Sequence, residues 1–340
     1  MKTAILTTIA LLAGSTGLAA QEVTLRVHHF LSAAAPIQTE VLEPWKAALE
    51  EQSGGRIAVE IYPSMQLGGR PPQLFDQARD GVVDVSWTLL GYTPGRFPIA
   101  EVFELPFMAS TAVATTTALQ EFQGQYLTEE LAGVHTLMLH APSAYKFHTV
   151  SASIESLDDL AGLKIRAPSR AMTDGLNALG ATAVGMPVPE VAQSLTTGVI
   201  DGAVIPWEVV GSLRVEEITR EHTEIGIENG GIATAVMALV MNQAKYDAMP
   251  DDLRAILDEN SGAALAERAG AAFDRVEEQE RQKYVDAGAT IRVIPEADLE
   301  PWHAATQPVI DAWVAQMNAA GHDGQAMLDA ARAMLDAAQE

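Results

Sequence analysis

The chain has 340 residues, with 21 basic and 45 acidic side chains, a net charge of −24 and no cysteine. This acidity disfavours nucleic acid and anionic membrane surfaces as partners. The lack of cysteine excludes disulfides, thiolate chemistry and a lipid-anchored N-terminal cysteine, and the length favours two domains.

The first 20 residues have the features of a secretory signal peptide. Lys2 supplies a positive start, residues 4–12 are apolar, and Leu18-Ala19-Ala20 gives the small residues of a cleavage site before Gln21. The apolar stretch is too short for a spanning helix. We therefore expect a bacterial periplasmic protein that begins at about residue 21.

The next part of the chain alternates strands and helices. The pattern predicts strands over 23–30, 57–62, 82–89 and 136–140, and helices over 36–53 and 74–79. The β-α-β-α-β order indicates a first α/β domain. Phe30 and Trp87 lie at the ends of predicted strands and Tyr92 lies in a loop, so they are candidates for a ligand-binding wall, with ordinary core packing as the alternative.

A second series of elements follows. It comprises predicted strands over 146–149, 163–166, 182–184 and 200–204, helices over 170–179 and 189–197, and a strand over 232–241 that returns to the first domain. An uninterrupted helical pattern over 251–285 predicts a strut of about 50 Å. A strand over 290–294 and helices over 298–319 and 324–338 complete the chain.

The stretch 156–168, SLDDLAGLKIRAP, gives the strongest local signal. Ser156 is a suitable N-cap, Gly162 suits the left-handed residue that ends a helix, and Pro168 limits the strand that follows. Arg166 is thus expected at the carboxyl end of a strand, the edge at which open α/β sheets bind ligands. A guanidinium there can hold a carboxylate through two N–H donors, although a surface ion pair is the alternative.

No motif of catalysis or cofactor binding is visible. GxSxG, P-loop, GxGxxG and HExxH patterns do not occur in the sequence, and no acid–base pair can be nominated. His28 and His29 are neighbours on a predicted strand, so they face opposite sides and cannot share a metal ion. We expect no catalytic residue, no metal and no cofactor.

Four stretches resemble the solute-binding subunit of tripartite ATP-independent periplasmic (TRAP) transporters. They are SLDDLAGLKIRAP, GATAVGMPVPEVAQSLTTGVIDGAVIPWE (180–208), MQLGGRPPQLFDQARDGVVDVSW (65–87) and GRFPIAEVFELPFM (95–108). The resemblance covers nearly the whole chain after residue 20, in order. It implies two α/β domains joined by crossing strands, a hinge and a long helix spanning both.

With this fold, residues 21–143 and about 228–270 would form domain I, and residues 144–227 and about 271–340 domain II. The family's carboxylate-binding arginine falls on Arg166, and a second basic position falls on Lys146, where many members have arginine. Some members have asparagine where this chain has Ile205. The far end of the ligand would then be apolar, or be met by Trp207 and Glu208.

The resemblance implies a periplasmic receptor, not an enzyme, that captures a small organic acid and delivers it to a TRAP membrane permease. A monocarboxylate with an apolar or aromatic body is favoured, and a sugar acid or dicarboxylate is the alternative. An enzyme acting on organic acids would need a nucleophile, base or metal, and a sensor would have the same fold. Most relatives suggest a monomer.

Overall fold

The structure is a computed structural model that describes residues 21–228 and 230–339, so the predicted signal peptide lies outside the described residues. The strands are β1 (Val23–His29), β2 (Ile57–Tyr62), β3 (Val85–Leu89), β4 (Val134–His140), β5 (Lys146–Thr149), β6 (Lys164–Ala167), β7 (Thr182–Gly185), β8 (Gly202–Ile205), β9 (Glu221–Gly226), β10 (Met237–Asn242) and β11 (Ile291–Pro295). The helices are α1 (Glu43–Gln52), α2 (Leu74–Arg79), α3 (Ala112–Tyr126), α4 (Arg170–Ala178), α5 (Val191–Thr196), α6 (Trp207–Leu213), α7 (Gln243–Asp247), α8 (Asp251–Glu259), α9 (Gly262–Asp286), α10 (Glu300–Ala319) and α11 (Gly324–Ala337).

The strands form two sheets, which confirms the predicted two-domain α/β class. The first sheet has the order β2-β1-β3-β10-β4 and the second the order β11-β9-β5-β8-β6-β7. In the first, β10 is antiparallel to both of its neighbours; in the second, β5 is antiparallel to β8 and β9. We call each sheet with its packed helices a lobe.

Two crossing segments connect the lobes side by side. Residues 141–145 lead from β4 to β5, and residues 230–236 lead back from β9 towards β10. The Tyr145 N–H donates to the Ala233 carbonyl (2.7 Å), and the Ile232 N–H donates to the Tyr145 carbonyl (3.0 Å). The two segments therefore form a hydrogen-bonded pair where the chain changes lobe.

Helix α9 is the third connection. It packs against α3 and β4 of the first lobe and against α6 of the second. The predicted uninterrupted helix over 251–285 is nevertheless wrong, because Asn260 and Ser261 are not helical and separate α8 from α9. Gly262, with φ +63°, opens the second segment. An Asn-Ser-Gly run is typical of helix ends and starts. The apolar repeat continues on both sides of this run, so the periodicity alone predicts one helix.

Other differences come from elements with an unusual pattern. The helix predicted over 36–53 begins as a π-helical segment, Ile37–Leu42, before α1. Strand β9 was not predicted because its sequence, EHTEIG, is polar, yet four of its six residues are buried in the sheet. Helix α6 was not predicted either. The predicted domain boundaries stay a prediction; α11, which they assign to domain II, packs on α3 of the first lobe.

None of the helices in the described part of the chain combines the length and apolar character that crossing a bilayer requires.

Candidate functional site

Arg166 is positioned by the short turn and strand that the sequence predicts. Ser156 and Asp159 form a capping box around the 3-10 turn Leu157–Leu160, and Gly162 adopts φ +81°. The chain then enters β6, which pairs in parallel with β7 and β8. These local features bring Arg166 to the carboxyl end of β6, as predicted.

A small cavity of about 40 Å³ lies beside Arg166, between the two lobes. Its lining is mostly aromatic and aliphatic, and it comprises Phe30, Leu31, Trp87, Leu89, Tyr92, Pro142, Tyr145, Arg166, Val188, Ile205, Pro206, Glu208, Val209, Met237 and Phe273. Among these described lining residues, Arg166 is the one basic side chain and Glu208 the one acidic side chain.

The Arg166 guanidinium is buried, 1% exposed, and only partly satisfied. Its Nε donates to the Met186 carbonyl (3.0 Å) and its Nη1 to the Val204 carbonyl (3.2 Å). Its Nη2 makes no hydrogen bond to any described residue, and no described carboxylate pairs with it. Two carbonyls thus fix the orientation of the group, and the Tyr92 hydroxyl lies next to the guanidinium. Its Nη2, which makes no hydrogen bond to the described residues, can donate to an anion.

Phe30, Trp87 and Tyr92 form a continuous aromatic wall on the first lobe. Phe30 stacks on Trp87 with ring centroids 4.8 Å apart, and Tyr92 meets Phe30 edge-on at 5.4 Å. The indole Nε1 of Trp87 donates to His140 Nε2 (2.9 Å). Burial lowers the pKa of His140 to about 3, so the imidazole is neutral and can accept this bond. This hydrogen bond fixes the orientation of the Trp87 ring within the wall.

Ile205 and Glu208 complete the predicted residues that the structure brings to the cavity. Ile205 ends β8, and Glu208 lies in the first turn of α6. Glu208 is 2% exposed, and its Oε2 accepts the Ser143 N–H (3.3 Å). Six predicted residues therefore surround one space, and their roles in binding are proposed below.

The structure does not bring Lys146 to the cavity. Its side chain is completely buried and pairs with Glu277 of α9, and its Nζ also donates to the Ala144 carbonyl (2.7 Å). Lys146 therefore lies outside the cavity lining with its charge already paired, and its predicted contact with the ligand stays a prediction. A carboxylate from α9, about 130 residues further along the chain, satisfies the charge instead, and no local signal reveals it.

Trp207 also lies outside the cavity lining. Its indole packs against His148, His222 and Tyr284 on the second lobe, and its Nε1 donates to Glu224 Oε1 (3.0 Å). The neighbouring residues Pro206 and Glu208 line the cavity instead. The indole N–H, which the sequence analysis assigns to ligand binding, thus donates to a carboxylate of the second lobe.

Sequence reasoning missed several cavity residues. Tyr145 and Pro142 lie in the first crossing segment, and Phe273 lies on α9. These positions become part of the wall only through the crossing of the chain and the placement of α9. The position of Tyr145 just before the predicted 146–149 strand is a signal that it lies near the cavity. Phe273 has no such signal, because its spacing is that of an ordinary buried helix residue.

A larger open groove of about 860 Å³ lies on the other side of Glu208. Besides Glu208, its lining includes three acidic residues (Glu40, Glu216 and Glu280) against two basic ones (Arg220 and Lys283). This balance disfavours an anionic ligand. The smaller cavity, with its single buried guanidinium, is the better candidate for anion capture.

Direct contacts join the lobes beside the cavity. The Val188 N–H of the second lobe donates to the Tyr92 hydroxyl of the first (2.9 Å). Arg170 at the start of α4 pairs with Glu101 of the first lobe, and its Nη2 also donates to Gln316 Oε1 (3.0 Å). These bonds require the lobes to be close together, so the structure represents a closed arrangement.

Glu104 is a buried carboxyl at the same junction, and it predicts a pH effect. Its Oε1 accepts the Val236 N–H (3.0 Å). Burial raises its pKa from 4.5 to about 7, with Glu101 adding to the rise, while Val236 and Ser169 oppose it. Between about 4.5 and 7 the unfolded chain releases this proton before the folded chain does, so stability is lost as pH rises.

We expect the free energy of unfolding of the parent to fall, relative to that of a Glu104→Gln variant, as pH rises from about 4.5 to 7. Glutamine keeps an acceptor for the Val236 N–H but cannot ionise. Denaturant unfolding of both proteins at a series of pH values measures the difference. Parallel stability profiles for the two proteins would show that Glu104 does not titrate in this way.

The described residues contain no group of three or more histidine, cysteine, aspartate or glutamate side chains that could hold a metal ion. His28 and His29 instead bond to separate glutamines: His28 Nδ1 to Gln77 (2.7 Å) and His29 Nε2 to Gln38 (3.1 Å).

Comparison with known proteins places this architecture in one family. Residues 27–317 match the family described as bacterial extracellular solute-binding protein, family 7. The C4-dicarboxylate-binding periplasmic protein DctP of Rhodobacter capsulatus is 27% identical over 265 residues, which cover 77% of this chain and 78% of the relative.

Two solved structures are more similar. A TRAP solute-binding protein from Rhodoferax ferrireducens T118, in complex with copurified benzoate, is 42% identical with a TM-score of 0.90, covering 93% of this chain and 98% of that chain. A marine metagenome TRAP solute-binding protein specific for aromatic acid ligands, in complex with 3-hydroxybenzoate, is 42% identical with a TM-score of 0.91, covering 94% and 100%. The chain described here belongs to bacterial extracellular solute-binding protein family 7, the family of TRAP solute-binding proteins.

Proposed function

We propose that this protein is a periplasmic receptor for aromatic monocarboxylates, which it passes to a TRAP membrane permease without chemical change. Proteins of this family are periplasmic transport receptors. The observation that carries the proposal is the buried Arg166, whose Nη2 is unpaired among the described residues, in an aromatic-walled cavity between two lobes. We propose that it works as a monomer, without nucleic acid as a partner.

The Arg166 guanidinium is the reason to expect a carboxylate on the ligand. An unpaired buried donor costs about 1–3 kcal/mol, and more when it is charged, so an anion that pairs with Arg166 removes this penalty. The overall charge of −24 opposes every anion at long range, so a local cation has to supply the attraction. Arg166 is the one described basic residue in the lining and is therefore the binding group.

The side chains of the cavity walls are the reason to expect an aromatic ring on the ligand. Phe30, Trp87, Leu89, Met237 and Phe273 offer aromatic and aliphatic surface, which favours a flat apolar ring over a polyhydroxylated chain. The two 42% identical proteins hold benzoate and 3-hydroxybenzoate, which supports the same class here.

The alternatives have less support. A dicarboxylate needs a second cation, and the side chain of Lys146 is paired with Glu277. A sugar acid needs many polar partners, which this lining does not offer. An enzyme needs a positioned nucleophile or base, and the described lining offers no serine, threonine, histidine or lysine, only the Glu208 carboxyl and the hydroxyls of Tyr92 and Tyr145.

Thermal unfolding with a panel of acids tests the proposal. At 100 times its dissociation constant a ligand stabilises the fold by about 2.7 kcal/mol. We expect benzoate to raise Tm, and benzamide, succinate and glucuronate at equal concentration to leave it nearly unchanged. Stabilisation by glucuronate or succinate but not by benzoate would overturn the proposed class. Loss of benzoate on prolonged incubation with the protein would contradict the receptor role.

Closure of the lobes around the ligand gives a further prediction at Gly91. A Cβ placed there would lie 2.5 Å from Ser169 Cβ on the opposite lobe and 2.7 Å from Glu104 Oε2. Because Ser169 Cβ is attached directly to the backbone, one lobe would have to move away. Overpacking of this kind costs about 1–3 kcal/mol, so Gly91→Ala should weaken benzoate binding by about 5- to 150-fold, measured by calorimetry.

Gly124 supplies the matched control. It lies on α3, and a Cβ there meets nothing within 4 Å, so Gly124→Ala should bind benzoate as the parent does. Equal affinity of Gly91→Ala and the parent would mean that binding does not require the close approach of Gly91 and Ser169.

A further inference from the structure

Glu208 is a buried acidic group that anion capture alone does not explain. It lines the cavity that Arg166 also lines, and it is 2% exposed. Its Oε2 accepts the Ser143 N–H, but its Oε1 makes no hydrogen bond to any described residue and is closed off from solvent. A buried polar atom without a hydrogen bond costs free energy, so the position of Glu208 Oε1 points to a polar group on the ligand.

The protonation state of Glu208 narrows the choice of that partner. Burial and the neighbouring Glu277 raise the pKa of Glu208 well above its usual range, while Ser143 and Lys146 oppose the rise. Lys146 is already paired with Glu277, and no described cation pairs with Glu208. A neutral carboxyl has both an O–H donor and a free acceptor, and it does not repel a ligand carboxylate held at Arg166.

A hydroxyl group matches these properties. It can donate to one carboxyl oxygen and accept from the other, and it carries no charge that the apolar walls would have to accommodate. Resting on the proposed aromatic-acid function, we infer that Glu208 binds a hydroxyl substituent on the ring of the ligand and so selects hydroxylated aromatic acids over unsubstituted ones. Arg166 holds the carboxylate, and Glu208, the one acidic side chain among the described lining residues, determines specificity for the ring hydroxyl.

A zwitterionic ligand is the competing occupant. An ammonium group on the ligand would pair with an ionised Glu208. The lining disfavours this, because a buried ion pair needs further hydrogen bonds to each charge, and most of the described lining side chains are aromatic or aliphatic.

Calorimetry with benzoate and its 2-, 3- and 4-hydroxy derivatives tests the inference on the whole protein. The readout is the ratio of the benzoate dissociation constant to that of the tightest hydroxybenzoate. A site built to bond a hydroxyl discriminates strongly against an analogue that lacks it. We expect a ratio of about 10 or more for the parent, a ratio near 1 or below for Glu208→Met, and an intermediate ratio for Glu208→Gln, whose amide still donates and accepts.

The possible outcomes separate the two proposals. A parent ratio near 1, or a ratio that Glu208→Met leaves unchanged, would overturn the role of Glu208 and leave the aromatic-acid function intact. Tighter binding of 3-(aminomethyl)benzoate than of every hydroxybenzoate would overturn it in favour of a cation. Failure of the parent to bind any of these acids would overturn both proposals. The parent ratio decides the matter even if the methionine variant does not fold.

Discussion

Replacing Arg166 with alanine is expected to raise the dissociation constant for benzoate by about 150- to 5,000-fold. The ligand carboxylate would lie in an apolar cavity without a counter-charge, a loss of about 3–5 kcal/mol for one partner of a buried pair. Lys146 cannot compensate, because its side chain is completely buried and paired with Glu277. Calorimetric titration of the variant and the parent with benzoate measures the effect.

Arg166→Lys should also impair binding, since an ammonium cannot reproduce the planar array of N–H donors that meets two carbonyls and an anion together. Arg26→Ala is the matched control. Arg26 also lies on a strand and pairs with Asp84, but its side chain is 40% exposed and outside the cavity lining. Its variant should bind as the parent does. An Arg166→Ala protein that binds benzoate within about threefold of the parent would refute the role of the guanidinium, by the scale of the expected loss.

The second large effect concerns stability at Lys146. Replacing this residue with methionine leaves the Glu277 carboxylate buried without its cation, which costs about 3–5 kcal/mol. Burial raises the pKa of Glu277, and Lys146 opposes that rise. In the variant the opposition is lost, so Glu277 holds its proton to higher pH and the stability deficit grows as pH increases. Denaturant unfolding of the parent and the variant measures the deficit.

A double variant, Lys146→Met with Glu277→Gln, provides the control. Glutamine is neutral but still accepts the Glu208 N–H, which Glu277 Oε2 receives at 2.8 Å in the parent. We expect the double variant to recover most of the lost stability and to bind benzoate far better than Arg166→Ala. If the double variant regains stability but not binding, Lys146 has a role towards the ligand that its buried pairing does not indicate.

The part of the site that the sequence predicts best is the part built from local signals. Ser156, Gly162 and Pro168 mark a capped turn and a short strand within a single stretch of 13 residues. Their combined effect places Arg166 at the strand end without help from distant contacts. Phe30 and Tyr92 follow in the same way from the ends of neighbouring parallel strands, which meet at one edge of a sheet.

The direction of individual side chains could not be predicted in the same way. Trp207 and Glu208 are adjacent, yet the carboxyl lines the cavity and the indole packs on the second lobe. Which of the two faces inward is decided by α9, whose Glu277 binds the backbone of Glu208. The same helix pairs Lys146 with Glu277 and brings Phe273 to the cavity. The position of α9 is a tertiary property, set by packing across both lobes.

Backbone breaks and buried polar strands were the other difficulty. The break at Asn260 and Ser261 interrupts an apolar repeat that is otherwise continuous, and periodicity alone does not detect such a kink. Strand β9 appears exposed from its sequence, but Glu224 in its middle is bonded to Arg281 and Trp207. A polar strand can be central when other elements bring it partners.

A crystal structure of the protein with benzoate tests the central claim most directly. We predict a carboxylate oxygen within about 2.7–2.9 Å of Arg166 Nη2, the range of charge-assisted bonds, with the ring against Phe30 and Trp87 and both backbone bonds of Arg166 retained. A benzoate bound elsewhere, or in this cavity with its carboxylate directed away from an unchanged Arg166, would contradict the account.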